Sequence, residues 1–344
     1  MRPNPKILII QTAFLGDTIL SLPMVQTLKK ISPDSIIDYL CIPSTSNILT
    51  NSPYINKVII YDKKARHKLS KLRQIVKKVR SENYDIVLCP HRSFRSALIT
   101  YRTKASVRIG FDKNSLSFLL THKATYRIDC HEIIRNLELI KQIPELNIST
   151  SDFILKPEFF PSEEDVKIAD NILGGFILRR NFKTIIFAPC SKWFTKKIPE
   201  AKAVEIVDNL CTLQNKVILI GGIDDKDFCE SILKHSKFPT QVSNLAGKLS
   251  PVQSSIVIQK TDALITVDSA AAHIGATTDT PIVMIYGSTV PAFGFYPLTS
   301  QNVIIENSLI NCRPCTNHGR GSCPRKHFKC MNDLDTDEII KAVN

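Results

Sequence analysis

Long hydrophobic runs are missing from this chain of 344 residues. No stretch approaches the roughly 18–20 apolar residues that a membrane-spanning helix needs. The opening MRPNPKILII has no extended apolar leader core, and Asp17 soon interrupts the apolar pattern, so an export signal is not expected. The two common phosphate-binding fingerprints are missing as well. No GxGxxG follows an apparent strand and no GxxxxGK[ST] occurs, which sets aside the usual dinucleotide turn and P-loop hydrolysis. No carboxylate cluster demands magnesium, and neither low-complexity segments nor short repeats are visible. Acidic residues are scarce in one half only. Residues 1–150 hold 24 Lys+Arg against 11 Asp+Glu, whereas residues 151–344 hold 21 of each. The whole net charge of +13 therefore sits in the first half, where it favours a polyanionic partner: a nucleic acid, an anionic membrane surface or a phosphorylated glycan.

What is present is the composition of a soluble globular protein, 43% hydrophobic and 22% charged, in a chain long enough for two domains. Of ten cysteines, six (Cys41, Cys89, Cys130, Cys190, Cys211, Cys229) are scattered through apparent strands and helices and read as reduced thiols of a cytosolic protein. The stretch KILIIQTAFLGDTILSLPMVQTLKK begins with an apolar strand, Lys6–Ile10, turns at Gly16-Asp17, and continues as an expected helix over Thr18–Lys30. Ligands of open α/β sheets sit beyond the carboxyl ends of the strands. Asp17 is thus either a helix-capping acid or a carboxylate delivered to a site. The basic segment 65–80 has two readings as well, an interfacial element or a solvated lysine-rich face.

Strands and helices alternate in both halves, and a Pro-punctuated stretch from Pro144 to Pro161 reads as linker. The expected fold is α/β, with domains over residues 1–155 and 156–344 carrying parallel sheets that face across a cleft. Strand ends in the second half carry small or polar residues: Ser191 and Lys196 after Thr184–Ala188, Gly221 after Lys216–Ile220, Asp268, Ser269 and His273 after Ala263–Val267, and Gly287 after Ile282–Tyr286. Hydroxyls, close backbone approach and a lysine suit a nucleotide diphosphate. Singly, Asp268-Ser269 also reads as a helix cap and His273 as an ordinary helical histidine. Arg92 and Arg95, after the strand Tyr84–Cys89, are placed to meet an anionic acceptor.

Taken together, these motifs resemble bacterial lipopolysaccharide heptosyltransferases of glycosyltransferase family 9, most nearly the heptosyltransferase II branch. The similarity runs over nearly the whole chain through GDTILSLPMVQTLK, TKKIPE and LITVDSAAAHIGATTDTPIVMIYGSTVPAFGFYP. The resemblance implies two Rossmann-like domains of the GT-B type and inverting transfer of heptose from ADP-L-glycero-beta-D-manno-heptose to the lipopolysaccharide inner core. It implies Asp17 as catalytic base, with Gly16 and the arginines on the acceptor side. Lys196 becomes the phosphate contact, with Ser191, Gly221, Asp268, Ser269, His273 and Gly287 around the donor. Where the family commonly has Gly after Asp-Ser, this chain has Ala270, whose methyl narrows the backbone approach to a diphosphate.

The expected partners are the ADP-heptose donor, an anionic inner-core acceptor and the inner face of the inner membrane, touched peripherally from the cytoplasm, with no nucleic acid. No cofactor is required, although magnesium can assist. A related glycosyltransferase with another donor or acceptor is one alternative. A basic nucleic-acid-binding protein with a zinc module is the other. The zinc module would be Cys312, Cys315, Cys323 and Cys330, with His318 and His327 between them, in a segment holding five Lys/Arg and no acid. The expected reading of that cluster is reduced cysteines packing an acceptor-side loop, and the family resemblance carries such a segment. A final helix over Asp335–Val343 is expected to pack back onto the first domain.

Overall fold

Between Lys6 and Ala124 the apolar runs become six parallel strands: β1 (Lys6–Ile10), β2 (Ile36–Cys41), β3 (Lys57–Ile60), β4 (Ile86–Cys89), β5 (Val107–Phe111) and β6 (His122–Ala124). They lie in the order β3-β2-β1-β4-β5-β6. In the computed structural model, residues 4–144, 146–174 and 182–343 are described. Six helices connect and cover this sheet: α1 (Leu15–Ile19), α2 (Leu22–Ile31), α3 (Asn47–Thr50), α4 (Lys68–Ser81), α5 (Phe94–Arg102) and α6 (Glu132–Ile140). Ile7, Leu8, Ile9 and Ile10 of β1 are fully buried, each contributing about 1.5–3 kcal/mol relative to exposure. That burial on both faces is why the central strand reads as an unbroken apolar run.

The helix expected over Thr18–Lys30 is two. Pro23 has no N–H to donate, and its ring clashes with a preceding helical turn, so it is tolerated only where a helix begins. It occupies the first turn of α2, and the chain breaks at Leu20–Ser21. This short α1 keeps Gly16 and Asp17 at the carboxyl end of β1.

The second unit repeats the winding. Strands β7 (Thr184–Ala188), β8 (Lys216–Leu219), β9 (Val242–Asn244), β10 (Ala263–Val267), β11 (Ile282–Tyr286) and β12 (Asn302–Glu306) are parallel and ordered β12-β11-β10-β7-β8-β9. Counted from its own first strand, this is the same doubly wound nucleotide-binding topology, with the order reversing beside the first strand of the unit. Its helices are α7 (Glu163–Gly174), α8 (Glu200–Thr212), α9 (Lys226–His235), α10 (Pro251–Gln259), α11 (Ala270–Gly275), α12 (Lys329–Asn332) and α13 (Thr336–Lys341). α7 starts where Ser162 and Asp165 exchange side-chain-to-backbone hydrogen bonds, a capping box.

Contacts divide the chain after Phe160, beyond residue 155. The extra residues are tied to the first unit: Thr27 accepts the Ile154 N–H at 3.0 Å, Gln26 donates to the Lys156 carbonyl at 3.1 Å, and Phe160 meets Tyr54 edge to face. Residue 145 of the expected linker lies outside the described residues. At the other end, Ile339, Ile340 and Val343 of the last helical segment are buried in the second unit's core, where α13 packs on α8. Among the described residues no helix is long and apolar enough to cross a membrane.

Candidate functional site

A doubly wound sheet opens a crevice where its strand order reverses, because the connections from the two central strands leave in opposite directions. In the second unit that point lies between β7 and β10. The turn after β7 carries Lys196 and the turn after β10 carries Asp268. Their side chains meet, with Nζ and Oδ2 2.6 Å apart and both nearly buried. The same Asp268 oxygen accepts the Thr289 hydroxyl at 2.6 Å. Ser191 Oγ donates to the Asp268 backbone carbonyl at 3.4 Å. Three strand ends thus converge on one carboxylate, which fixes the lysine ammonium at the crevice.

Ser269 accepts the Ala271 N–H and caps α11, and His273 is buried within that helix. Ala270 opens the helix with its methyl half-buried. The two glycines read as leaving room for a diphosphate have other neighbours. A Cβ on Gly287 would run into Met331 Cε, and one on Gly221 would come within 2.8 Å of Asp225 Cβ. Met331 and the Asp225 turn occupy the space that a side chain at those two strand ends would need.

The cysteine-rich segment is attached to this site. Thr195 Oγ1 accepts the Arg320 N–H at 2.8 Å and the Ser288 hydroxyl at 2.9 Å, while Cys315 N–H donates to the Ser288 carbonyl at 3.0 Å. Arg313 is buried and donates to the Gly287, Asn307 and Thr289 carbonyls and to Glu306. The segment expected on the acceptor side is therefore knitted to the ends of β7 and β11 in the second unit. Gly319, at φ +98°, lets the backbone pass against Trp193, where a Cβ would lie 2.7 Å from the Trp193 Cβ. Beside it opens a cavity of about 540 Å³ lined by Trp193, Thr316, Arg320 and Ser322.

The four sulfurs are near enough to feel one another. Burial, with Cys315, Cys323 and Cys312 adding to it, pushes the Cys330 thiol up to about 11. Among the described residues no group of three or more His, Cys, Asp or Glu is arranged to hold a metal ion. Cys312 instead lies 3.8 Å from His327 Nε2.

In the first unit the crevice lies between β1 and β4. Asp17, half-buried in α1, accepts the Phe14 N–H through Oδ2 at 3.1 Å, which orients the carboxylate. Thr12, just past β1, meets His91 Nδ1 and Ser96, past β4, each at 3.0 Å. Burial first, then the charges of Lys63 and Arg92, holds the His91 imidazole down to about 4. Arg92 is exposed and stacks its guanidinium 3.8 Å over the Tyr126 ring. Arg95 donates to the Lys63 carbonyl at 3.5 Å. Behind Tyr126 a buried pair, Arg135 and Glu132 at 2.7 Å, braces the phenol. Burial raises the Glu132 carboxyl against the pull of Arg135, and the Asp17 charge adds to the rise.

Sequence reasoning placed Thr289 at a strand end without tying it to Asp268, and did not assign Tyr126 or the Glu132–Arg135 pair. Thr289 lies inside the longest of the three motifs, but nothing local ties it to Asp268. The other three follow weak elements, and only the spatial stack under Arg92 reveals them.

Comparison with known proteins agrees with this architecture. The chain is 25% identical to lipopolysaccharide heptosyltransferase 1 of Campylobacter coli over 98% of each. Among solved structures it matches a family 9 glycosyl transferase of Veillonella parvula (TM-score 0.83, 22% identity, 98% and 96% of the two chains). It also matches the ADP-heptose lps heptosyltransferase II of E. coli (TM-score 0.79, 22% identity, 98% and 97%). The model of glycosyltransferase family 9 (heptosyltransferase) matches residues 72–322, and with two doubly wound units and a lysine–carboxylate pair at the second crevice the chain belongs to that family of glycosyltransferases.

Proposed function

We propose that the protein moves heptose from ADP-L-glycero-beta-D-manno-heptose to the inner core of lipopolysaccharide, with inversion at the anomeric carbon. One displacement suffices. The acceptor oxygen attacks the anomeric carbon, the bond from that carbon to the diphosphate oxygen breaks, the acceptor proton passes to Asp17, and ADP departs. A single carboxylate is needed, unlike the acid–base pair of glycoside hydrolysis.

The observation that carries the reading is the Lys196–Asp268 pair at the crevice between β7 and β10. An ammonium already fixed at a helix-flanked strand end meets the charge that grows on the leaving diphosphate without reorganising. Ser191 and Ser269 supply hydroxyls at the same edge, and magnesium can assist. In the first unit, Arg92 and Arg95 are the acceptor contacts, and Tyr126 holds Arg92 in place. Phosphorylated glycan, rather than nucleic acid, is the polyanion that Arg92 and Arg95 meet in the basic half. The acceptor is lipid-linked, so the enzyme works at the cytoplasmic face of the inner membrane.

The test is Asp17→Asn. Its amide oxygen still accepts the Phe14 N–H, so the fold is expected to stay. Transfer to purified core acceptor should fall roughly 10²–10⁴-fold with ADP affinity unchanged. Transfer at the wild-type rate would remove Asp17 as the base.

A further inference from the structure

Helices α4 and α5 pack beside each other in the first unit and leave a groove of about 650 Å³ between them. Its floor is apolar, made by Leu72, Val76 and Leu98, and its walls are Arg73, Lys77, Arg80 and Arg102. On α4 the spacing of Leu69, Leu72, Val76 and Arg80 is that of one helix face. Ile75 and Val79, on another face, are the residues buried beneath the helix. Leu69 continues the apolar line into solvent, 73% exposed. Phe94 and Tyr101, on the same side of α5 as Leu98, are exposed as well.

α4 carries six Lys or Arg and no acidic residue. The helix dipole favours cations in a last turn, which accounts for Arg80 and Arg102. It opposes Lys68 and Lys71 in the first turn. Arg73 with Lys77, and Lys77 with Arg80, put like charges at neighbouring positions, which costs helix stability. Among the described residues, none of Lys68, Lys71, Arg73, Lys77, Lys78, Arg80 and Arg102 has an ion-pair partner. The helix is thus built against its own electrostatics, with an apolar line running through unneutralised cations.

We propose that the α4–α5 face docks on the surface of an anionic phospholipid bilayer. The cations meet headgroup phosphates, while Leu69 and the groove floor reach the acyl boundary. A nucleic acid would satisfy the cations and leave Leu69, the residue of this line that projects into solvent, without an apolar partner. The inference does not rest on the catalytic assignments, because vesicle binding needs neither donor nor acceptor.

Sedimentation of the full chain with vesicles tests it, using phosphatidylcholine alone and phosphatidylcholine mixed with phosphatidylglycerol. The protein should pellet with the anionic vesicles only, and high salt should release it. The triple variant Arg73→Gln, Lys77→Gln, Arg80→Gln should lose roughly 100-fold in partition, about fivefold per cation near the surface. Leu69→Gln should lose a few-fold without altering the salt dependence. All four positions are exposed, so unchanged melting temperatures will show that the variants are folded. Equal pelleting with phosphatidylcholine, or undiminished partition of the triple variant, would overturn the proposal. So would displacement of the protein from vesicles by a short RNA together with wild-type binding by Leu69→Gln, which would give the face to a nucleic acid.

Discussion

Lys196 Nζ lies 2.6 Å from Asp268 Oδ2, and that one oxygen also accepts the Thr289 hydroxyl, so residues following β7, β10 and β11 are joined at a single atom. The arrangement separates two effects that substitution can measure. Lys196→Met leaves Asp268 with its Thr289 hydrogen bond but removes the charge aimed at a diphosphate. ADP affinity in calorimetry should fall roughly 10- to 150-fold, the value of about 1.5–3 kcal/mol for a charged hydrogen bond. Asp268→Asn removes the anchor and leaves a nearly buried ammonium unpaired. It should lower thermal stability by about 3 kcal/mol. An unchanged ADP affinity in Lys196→Met would take the lysine out of leaving-group stabilisation.

Gly287 offers a packing prediction. A methyl there would press on Met331, which is fully buried, with Cγ and Sδ each 3.0 Å away and Cε closer still. Gly287→Ala should cost about 1–3 kcal/mol by overpacking. Met331→Ala alone should cost about 2–5 kcal/mol as a buried truncation, and the double variant should lose less than the sum of the two single losses. Equal melting of Gly287→Ala and wild type would show that Met331 yields to a methyl at no cost.

His91 makes the first unit sensitive to mild acid. Its imidazole is held near 4 in the folded protein by burial and by the Lys63 and Arg92 charges, against an ordinary value of 6.5. Between those values the unfolded chain binds the proton and the folded one does not, so stability rises with pH. The contribution is complete above about 6.5 and is lost as pH falls toward 4, on the order of 3 kcal/mol in all. Denaturant midpoints measured across that range should slope, and His91→Gln should flatten the slope. A parallel slope in the variant would assign the acid sensitivity to other groups.

The central strands and the acidic turn after β1 were legible because burial on both sides demands unbroken apolar runs, and Gly16-Asp17 punctuates the first of them. Pro23 carried a signal for the helix break, but periodicity over Ile19, Leu20, Met24, Val25 and Leu28 masked it. Strands β6 and β9 have three residues each, too few to show alternation. β12 is an edge strand of mixed exposure, and its pairing with β11 is what defines it. At the site, residue types were readable and neighbours were not. Gly221 and Gly287 looked like space for a ligand, and only the fold shows Asp225 and Met331 in that space. The Cys-rich segment 312–330 read as a basic acceptor-side loop, and nothing local in it announced the hydrogen bonds to Thr195 and Ser288 that tie it to the second unit.

The placement of α13 has a consequence for the order in which the chain can be completed during synthesis. All six strands of the first sheet are made before residue 125, and the first unit closes by residue 160, so it can fold while the rest is still being translated. The second unit cannot finish in the same way. Its core stays uncovered until Ile339, Ile340 and Val343 have left the ribosome. A nascent chain halted shortly before Thr336 would therefore carry one finished half and one exposing apolar surface, a substrate for chaperones rather than an enzyme.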